Sequence, residues 1–370
     1  MSCVDSTAPL NYRIGSNNQH EMLFTLLTTI QEPTASVREL VSFLNQTDSK
    51  LIVVGDKKGP ASFDIEGVRF LPLDAQLGLD LELSSKLPTG HYARKNVGYL
   101  VAIAEGAPCI YETDDDNAPL SSWRPRSETV KALPIDVHGW VNVFRAFTSL
   151  LIWPRGFPLD EIKESFHYAP RVSDAVTVRA PIQQGLANNS PDVDAIWRLV
   201  LDAEFTYESS ESVLLRRGAW CPFNSQSTWW FPIAYPLMYL PSSCTFRMTD
   251  IWRSFIAQRC LWELDLGVVF HGAEVAQERN QHDLMRDFAD EVPGYTRNKE
   301  LVGILEKLSL STGRDAVGTN LLRCYESLVD AAFFAQSELG LVNAWLSDLK
   351  RLGQPTNNDQ AGVASLAEKT

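Results

Sequence analysis

The sequence predicts an α/β fold, in which a Rossmann-type mixed sheet is flanked by helices and followed by a C-terminal helical region. In the first third of the chain, short and continuous apolar runs alternate with stretches of helical periodicity. This alternation is expected for parallel strands that are covered on both faces. Polar clusters follow several of the apolar runs, and from residue 298 to 352 the periodicity is helical throughout.

The elements of the first segment can be assigned one by one. The apolar runs predict strands at 23–30, 51–54, 68–71 and 107–111. A first helix begins after Pro33-Thr34, because an apolar stripe recurs at helical spacing at Val37, Leu40, Val41 and Leu44. A second helix is predicted over 91–105, and Gly106 provides its stop.

Polar clusters fall where the predicted parallel strands end. They are Gln31-Glu32, Asp56-Lys57-Lys58 and the acidic run 114–116. Ligands of such sheets bind outside the carboxyl ends of the strands, so a binding site is expected at this edge. The chain contains no G-x-G-x-x-G and no G-x-x-x-x-G-K-[ST] motif, so neither a Rossmann dinucleotide site nor a P-loop is indicated.

The acidic run, formed by Asp114, Asp115 and Asp116, directly follows an apolar strand. Adjacent carboxylates repel one another and resist desolvation, and a divalent cation with a preference for hard oxygen ligands removes that penalty. The pattern therefore predicts that Asp114 and Asp116 bind Mn²⁺ or Mg²⁺, which bridges to the phosphates of a nucleotide. A solvated acidic turn is the alternative interpretation.

Two basic residues, Arg94 and Lys95, lie in the first turn of the predicted helix over 91–105. The helix dipole disfavours cations at this end, unless an anion is shared between them and the helix N-terminus. A diphosphate is such an anion. Both residues are therefore predicted to bind a nucleotide sugar together with Asp114 and Asp115. The alternative is that both are solvated cations on the surface.

Several long motifs resemble the STELLO family of glycosyltransferase-like proteins, and more distantly the reversibly glycosylated polypeptides, which are UDP-arabinopyranose mutases. The first are GDKKGP (55–60), HYARKNVGYLVAIAEGA (91–107) and IYETDDDN (110–117), and others follow at 153–158, 191–195, 223–230 and 246–253. The resemblance covers residues 24–295. It implies a GT-A fold with an Asp-x-Asp element at 114–116, and a nucleotide pocket lined by Asp56 and Arg94. Lys58, from the polar cluster after the second strand, is expected to assist Arg94 in binding the nucleotide sugar.

The second half of the chain supplies candidates for the acceptor side. Asn224, Ser225, Gln226 and Trp229 combine small hydrogen-bonding side chains with an indole, as expected for a surface that binds sugar hydroxyls and C–H faces. A buried loop held by its own hydrogen bonds is the alternative. Trp252 and Arg253 lie on the next predicted helix and are assigned to the same surface.

The resemblance also assigns a catalytic base and a further metal ligand. Asp250 occupies the place where many GT-A enzymes carry the carboxylate that activates the acceptor, although an N-cap role competes with this. His271, at the end of a predicted strand over 268–272, corresponds to the histidine that GT-A enzymes often add to the metal shell. His282 competes with it for that role.

Composition limits the possible partners. The net charge of −13, without any basic block, argues against nucleic acid or anionic membrane as a partner. Six scattered cysteines form neither a zinc framework nor a disulfide scaffold; buried thiols are expected, although Cys221 and Cys244 could pair in an oxidising compartment. No apolar stretch reaches transmembrane length.

The organisation predicted from these patterns has four parts. They are an extension (1–20), a GT-A-like domain (21–295, divided at 135/136 into nucleotide-sugar and acceptor halves), a helical region (296–353) and a polar tail (354–370). The N-terminus lacks a signal peptide, so a cytoplasmic location is expected. The Golgi lumen is the alternative, because plant members of the resembled family are Golgi membrane proteins.

The predicted function is a metal-dependent glycosyltransferase that moves a sugar from a nucleotide diphosphate sugar, most simply UDP-linked, to a glycan or other hydroxyl acceptor. Asp250 would deprotonate the acceptor. A UDP-sugar mutase needs the same donor site without an acceptor surface. A non-catalytic partner of a polysaccharide synthase is the third hypothesis.

Overall fold

The computed structural model describes residues 22–135, 137–167, 173–208, 211–278 and 283–354. Within these ranges the chain forms thirteen strands and ten α-helices. The strands are β1 (Leu23–Thr28), β2 (Ser49–Val54), β3 (Val68–Leu71), β4 (Ile110–Thr113), β5 (Asn117–Pro119), β6 (Thr129–Ile135), β7 (Gly139–Trp140), β8 (Val176–Arg179), β9 (Ile182–Asn188), β10 (Val213–Leu215), β11 (Ala219–Trp220), β12 (Ser227–Trp230) and β13 (Val268–Gln277). The helices are α1 (Ala35–Leu44), α2 (Leu73–Leu77), α3 (Glu82–Lys86), α4 (Lys95–Ala104), α5 (Ile162–His167), α6 (Ala195–Val200), α7 (Thr249–Leu261), α8 (Leu284–Lys307), α9 (Val317–Asp330) and α10 (Glu338–Arg351).

One mixed sheet organises the molecule, in the order β3-β2-β1-β4-β12-β9-β13-β10-β6-β8, with β5 paired to β13. The first four strands are parallel to one another, as the sequence predicts. β12 then runs antiparallel to both of its neighbours, β4 and β9. β7 and β11 form a separate two-stranded sheet.

Local sequence explains the elements next to the site. Thr34 caps α1 by accepting a hydrogen bond from the backbone N–H of Val37, and the predicted apolar stripe of this helix is buried. Gly98 lets α4 approach the sheet, because a Cβ at this position would come within 2.6 Å of Leu26 and Val54. The alternating run 139–145 favours a strand, but β7 ends at Trp140 and a short 3₁₀ helix follows at Val143–Ala146.

The C-terminal helices belong to the same core as the sheet. Leu328 of α9 and Trp345 of α10 share one cluster of buried side chains with Phe24 of β1. The predicted boundary at 295/296 falls inside α8, and β12, from the predicted acceptor half, pairs with β4 of the nucleotide half. The predicted α/β fold, a mixed sheet flanked by helices with a helical C-terminal region, is confirmed.

Two further findings concern membrane-spanning helices and disulfide bonds. In the described ranges no helix combines the length and the apolarity needed to cross a membrane. The cysteines of those ranges, at 109, 221, 244, 260 and 324, form no disulfide bond with one another.

Candidate active site

A cavity lies at the edge of the sheet where several strands end. Because β12 is antiparallel to β4 and β9, and β9 is parallel to β13, the carboxyl ends of β1, β4, β9 and β13 meet where β12 begins. The cavity has a volume of about 190 Å³. Its lining consists of Thr28, Tyr92, Asp114, Asp115, Asp116, Arg155, Asp192, Asn224, Ser225, Gln226, Phe246, Arg247, Asp250 and Gln277. The predicted location of the site is therefore the place where the described residues form this polar cavity.

The lining is strongly acidic, with five aspartates against two arginines. Arg155 and Arg247 are themselves already paired with carboxylates. The excess negative charge favours a cation or a ligand rich in hydroxyl groups, and it would repel a free anion.

The acidic run follows β4, and its side chains form hydrogen bonds with residues of different strands and loops. Asp115 accepts a hydrogen bond from Thr29 Oγ1, just beyond the end of β1. Asp116 Oδ2 accepts one from Gln277 Nε2 at 2.8 Å, at the end of β13. Burial raises the pKa of Asp115, although the hydrogen bond from Thr29 opposes this. The run is therefore an anchored loop inside the cavity, not a freely solvated turn.

Asp114 is held by a buried lysine and a tyrosine. Its Oδ1 accepts hydrogen bonds from Lys95 Nζ at 3.0 Å and from the Tyr92 hydroxyl at 2.9 Å. Lys95 Nζ also donates to the Thr113 carbonyl at 2.7 Å and lies 3.7 Å from Glu112 Oε1. Burial raises the pKa of Asp114, and the charge of Lys95 acts in the opposite direction. Lys95 is fully buried and does not line the cavity, so it contacts the site only as a partner of the acidic run.

An arginine between two carboxylates forms the opposite wall. Arg155 Nε and Nη2 donate to Asp192 at 2.8 and 2.9 Å, and its Nη1 and Nη2 donate to Asp250 at 3.0 and 2.9 Å. Burial acts to raise the pKa of both aspartates, but the charge and hydrogen bonds of Arg155 outweigh it and hold both pKa values below the usual range. Both carboxylates are therefore ionised at neutral pH.

The segment that precedes β12 contributes polar groups to the same wall. Asn224 Nδ2 donates to Asp192 Oδ2 at 2.8 Å, and the Ser225 N–H donates to Asp250 Oδ2 at 3.2 Å. Gln226 also lines the cavity. The sequence assigns Asn224, Ser225 and Gln226 to the acceptor surface and Asp250 to the activation of the acceptor. In the structure all four residues line the same cavity.

The tryptophans predicted for the acceptor surface lie in the core instead. Trp229 is fully buried, stacks on Tyr111 with ring centroids 4.3 Å apart, and donates to Glu274. Trp252 is buried against Phe333 and donates to Asn298. Neither lines the cavity. The expectation of an indole surface is corrected: Trp229 lies on β12, a central strand covered on both faces, and Trp252 lies on α7, where it is buried against α8.

Arg94 is also directed away from the cavity. Its side chain is fully buried, and its guanidinium donates to Gln76 Oε1 and to the Ser84 carbonyl at 2.7–2.9 Å. This corrects the expected contact with a diphosphate. Arg94 instead fastens α2 and α3 to the start of α4.

Asp56 and Lys58 follow β2, and neither lines the cavity. The Asp56 carboxylate accepts hydrogen bonds from the backbone N–H groups of Lys57, Gly90 and His91 at 2.6–2.8 Å. It therefore ties the strand end to the turn before α4, while the side chain of Lys58 is exposed.

Arg253 and His271 make interior contacts that leave neither at the cavity. Arg253 Nη1 donates to both oxygens of Glu112 at 3.1 Å and lies over the ring of Trp230. Both ring nitrogens of His271 are occupied, by Ser212 Oγ at 2.6 Å and Gln183 Oε1 at 2.9 Å. Burial, aided by nearby arginines, lowers its pKa. His271 is thus corrected from a metal ligand to a structural residue, and His282 lies outside the described residues.

Seven residues of the lining are not among the predicted site residues: Thr28, Tyr92, Arg155, Asp192, Phe246, Arg247 and Gln277. Asp192 lies shortly before α6 but does not cap it, because the cap is Asp194, whose Oδ1 accepts from the Trp197 N–H at 2.8 Å. Asp250 is not a cap either, because Met248 precedes α7 at the N-cap position. Neither carboxylate caps a helix, and both line the cavity.

The donor set fits a divalent cation only in part. In the ranges that the structure describes, no three or more His, Cys, Asp or Glu side chains are grouped so as to hold a metal ion. Mg²⁺ usually takes one or two carboxylates together with substrate phosphates and water. Asp114 and Asp116, which line one strongly acidic cavity, fit an ion bound in this way.

Comparison with known proteins agrees with the resemblance described above. The model of the family described as STELLO glycosyltransferases matches residues 247–358. "Probable glycosyltransferase STELLO1" of Arabidopsis thaliana is 27% identical over 94% of this chain and 46% of its own length. The corresponding values for "Probable glycosyltransferase STELLO2" are 27%, 89% and 44%. The chain spans about half the length of these curated relatives, and the predicted resemblance to the STELLO family is confirmed.

Two solved structures are similar at a much lower level. They are a mycobacterial protein (TM-score 0.36, 10% identity, 86% of this chain and 77% of that one) and M. tuberculosis glucosyl-3-phosphoglycerate synthase (TM-score 0.34, 9% identity, 78% and 80%). Scores of this size carry no argument about fold or function.

Proposed function

We propose that this chain is a glycosyltransferase that moves a sugar from a nucleotide diphosphate sugar, UDP-linked, to a glycan or other hydroxyl acceptor. One observation carries the proposal. The acidic run after β4 and the carboxylate of Asp250 face the same cavity, at the sheet edge where the carboxyl ends of four strands meet. The names of the curated relatives support the same reaction class.

The donor would bind on the β4 side of the cavity. Asp114 and Asp116 would hold Mn²⁺ or Mg²⁺, and a metal ion of this kind supplies positive charge that stabilises a leaving diphosphate. Lys95 and Tyr92 fix the orientation of Asp114 through their hydrogen bonds to Oδ1. Asp115 is held by Thr29, so the loop is positioned before the donor arrives.

The acceptor would bind on the opposite wall, where Asp250 is the proposed general base. Arg155 keeps Asp250 ionised by lowering its pKa against the effect of burial, so the carboxylate can accept a proton from an acceptor hydroxyl at neutral pH. Its Oδ2 already accepts from Arg155 and from Ser225. Oδ1, which accepts from Arg155 Nη1, has the greater remaining capacity. A low pKa makes a weaker base, so positioning must contribute strongly to the rate.

The test is acceptor-dependent release of UDP from UDP-sugars in the presence of Mn²⁺. Asp250→Asn should lower turnover by about 10²–10⁴-fold with little change in UDP affinity, because a base acts in the transition state. Asp315→Asn, which alters an exposed aspartate of the 3₁₀ helix Arg314–Ala316, is the matched control.

The rival functions give different results in the same assay. Isomerisation of a UDP-sugar without any acceptor would indicate the mutase. UDP binding without turnover of any kind would indicate the non-catalytic partner. Full activity of Asp250→Asn would remove Asp250 from the mechanism.

A further inference from the structure

Phe246 is an exposed aromatic residue at the polar cavity. It lines the cavity, yet 55% of its surface is exposed. Its ring meets the ring of Tyr92 edge to face, with centroids 5.5 Å apart. One exposed apolar side chain is ordinary on a protein surface, so its meaning depends on how it is held and on what surrounds it.

The backbone on either side of Phe246 is firmly anchored. Thr245 Oγ1 donates to the Asp290 carbonyl of α8, and Arg247 Nε donates to Glu291 Oε1 at 2.8 Å. Arg155 Nη1 donates to the Arg247 carbonyl. The ring is therefore presented by a fixed turn, and a ligand that binds to it needs to order little of the protein.

Asp192 and Asn224, which line the same cavity as this ring, have acceptor and donor capacity left for a ligand. Each oxygen of an ionised carboxylate has about two lone pairs, whereas Asp192 Oδ1 receives a hydrogen bond from Arg155 Nε. Asp192 takes one of the two amide hydrogens of Asn224. A flat apolar face beside carboxylate and amide groups matches a sugar ring, whose hydroxyls point outward and whose C–H groups form a face.

The positions of Asp192 and Asn224 relative to the sheet favour a sugar over a nucleobase as the ligand of this part of the cavity. The acidic run follows β4, and the sheet continues from β4 to β1 and β2 on one side and to β12 and β9 on the other. Asn224 precedes β12 and Asp192 follows β9, so they lie on the second side. A nucleoside attached to a diphosphate at 114–116 has the first side available.

We propose that Phe246, together with Asp192 and Asn224, forms a carbohydrate subsite in which the ring covers the C–H face of a pyranose and the polar groups bind its hydroxyls. The assignment of this sugar to the acceptor rests on the proposed function. The subsite takes the place of the indole surface expected from the sequence.

The test uses Phe246→Leu, which keeps an apolar side chain without an aromatic face, and Phe246→Tyr, which keeps the face. Binding of cellohexaose, xylohexaose, mannohexaose and galactotetraose is measured by calorimetry with Mn²⁺ and UDP present, and UDP binding is measured separately. We expect Phe246→Leu to weaken the best oligosaccharide by about two- to twelvefold, and Phe246→Tyr to stay near wild type. Leu150→Ala, at an exposed leucine outside the lining, is the control.

The other possible outcomes of these binding measurements contradict the proposed subsite. A loss of UDP affinity in Phe246→Leu with unchanged oligosaccharide binding would make the ring a nucleobase platform. If Phe246→Leu and Phe246→Tyr bind the oligosaccharides with the same affinity, or if wild type binds none of them, there is no subsite at Phe246. Because binding is measured without turnover, a protein that binds oligosaccharides through Phe246 but transfers no sugar would retain the subsite and refute only the transferase.

Discussion

Arg155 and Asp250 are joined by two parallel hydrogen bonds, from Nη1 to Oδ1 at 3.0 Å and from Nη2 to Oδ2 at 2.9 Å. The same guanidinium also binds Asp192 through Nε and Nη2. Planar two-point pairing of this kind fixes geometry as well as charge. Arg155 therefore determines both where the proposed base points and whether it is ionised.

Replacing Arg155 by glutamine should strongly destabilise the protein. The change leaves two mostly buried carboxylates without their counter-ion, and breaking a buried ion pair from one side costs about 3–5 kcal/mol. The free energy of unfolding, measured in urea, checks this. Arg179→Gln is the control, because Arg179 pairs with Glu128 on the surface and should lose no more than about 1 kcal/mol. Equal losses in the two variants would contradict the prediction.

The stability difference between wild type and Arg155→Gln should depend on pH. Asp192 and Asp250 have folded-state pKa values below the usual range, and the unfolded value is about 3.9. A depressed folded pKa gives stability that is present above the unfolded pKa and lost as the pH falls through the folded pKa. We expect the difference in the free energy of unfolding to be largest near neutral pH and to narrow on acidification. Burial raises the pKa of both aspartates once Arg155 is removed, so the narrowing begins above the unfolded pKa and continues below it. A gap that widens on acidification would show that Arg155 does not keep these carboxylates ionised.

The sequence predicts well whatever depends on local patterns. β1, β2, β3 and α1 are confirmed close to their predicted bounds, because apolar runs and helical stripes report burial directly. The location of the acidic run is also predicted, because parallel strands must end at one edge. Asn224, Ser225 and Gln226 reach the cavity because they immediately precede a strand that begins there.

What the sequence leaves open is long-range pairing. β12 inserts between β4 and β9, and nothing near residue 229 indicates that both of its faces will be covered. Trp229 is buried for that reason. His271 has a suitable sequence position for a ligand, but Ser212 and Gln183 occupy its ring nitrogens. The pairing of Arg155 with Asp192 and Asp250 is evident only when residues far apart in the chain meet.

Arg94→Ala should reduce stability without a direct effect on UDP affinity. The side chain satisfies Gln76 Oε1 and the Ser84 carbonyl in the interior, and one buried acceptor left unsatisfied costs about 1–3 kcal/mol. A urea unfolding curve and a UDP titration at a temperature where the variant is folded test the two halves. Weaker UDP binding by fully folded Arg94→Ala, with unchanged stability, would restore the contact with the diphosphate that the sequence predicted.

Asp114→Asn and Asp116→Asn should each remove the dependence of UDP binding on Mn²⁺. The proposed ion joins the acidic run to the diphosphate, so wild type should bind UDP more tightly with Mn²⁺ than in EDTA. At a UDP concentration 100 times its Kd, the folded state gains about 2.7 kcal/mol, and a melting curve reads this as a higher Tm. The two variants should show no difference between Mn²⁺ and EDTA, whereas Asp315→Asn should behave as wild type does.

The same titration has a predicted pH dependence. Burial raises the pKa of Asp114, and a protonated carboxyl cannot serve as a metal ligand. Protons therefore compete with Mn²⁺ for Asp114 at pH values from the ordinary carboxyl pKa upwards. As the pH rises through this range, the Mn²⁺-dependent affinity for UDP should increase. Lys95 opposes the shift, so Lys95→Met should move the rise in affinity to higher pH. Equal UDP binding in EDTA and in Mn²⁺ at every pH would rule out the ion.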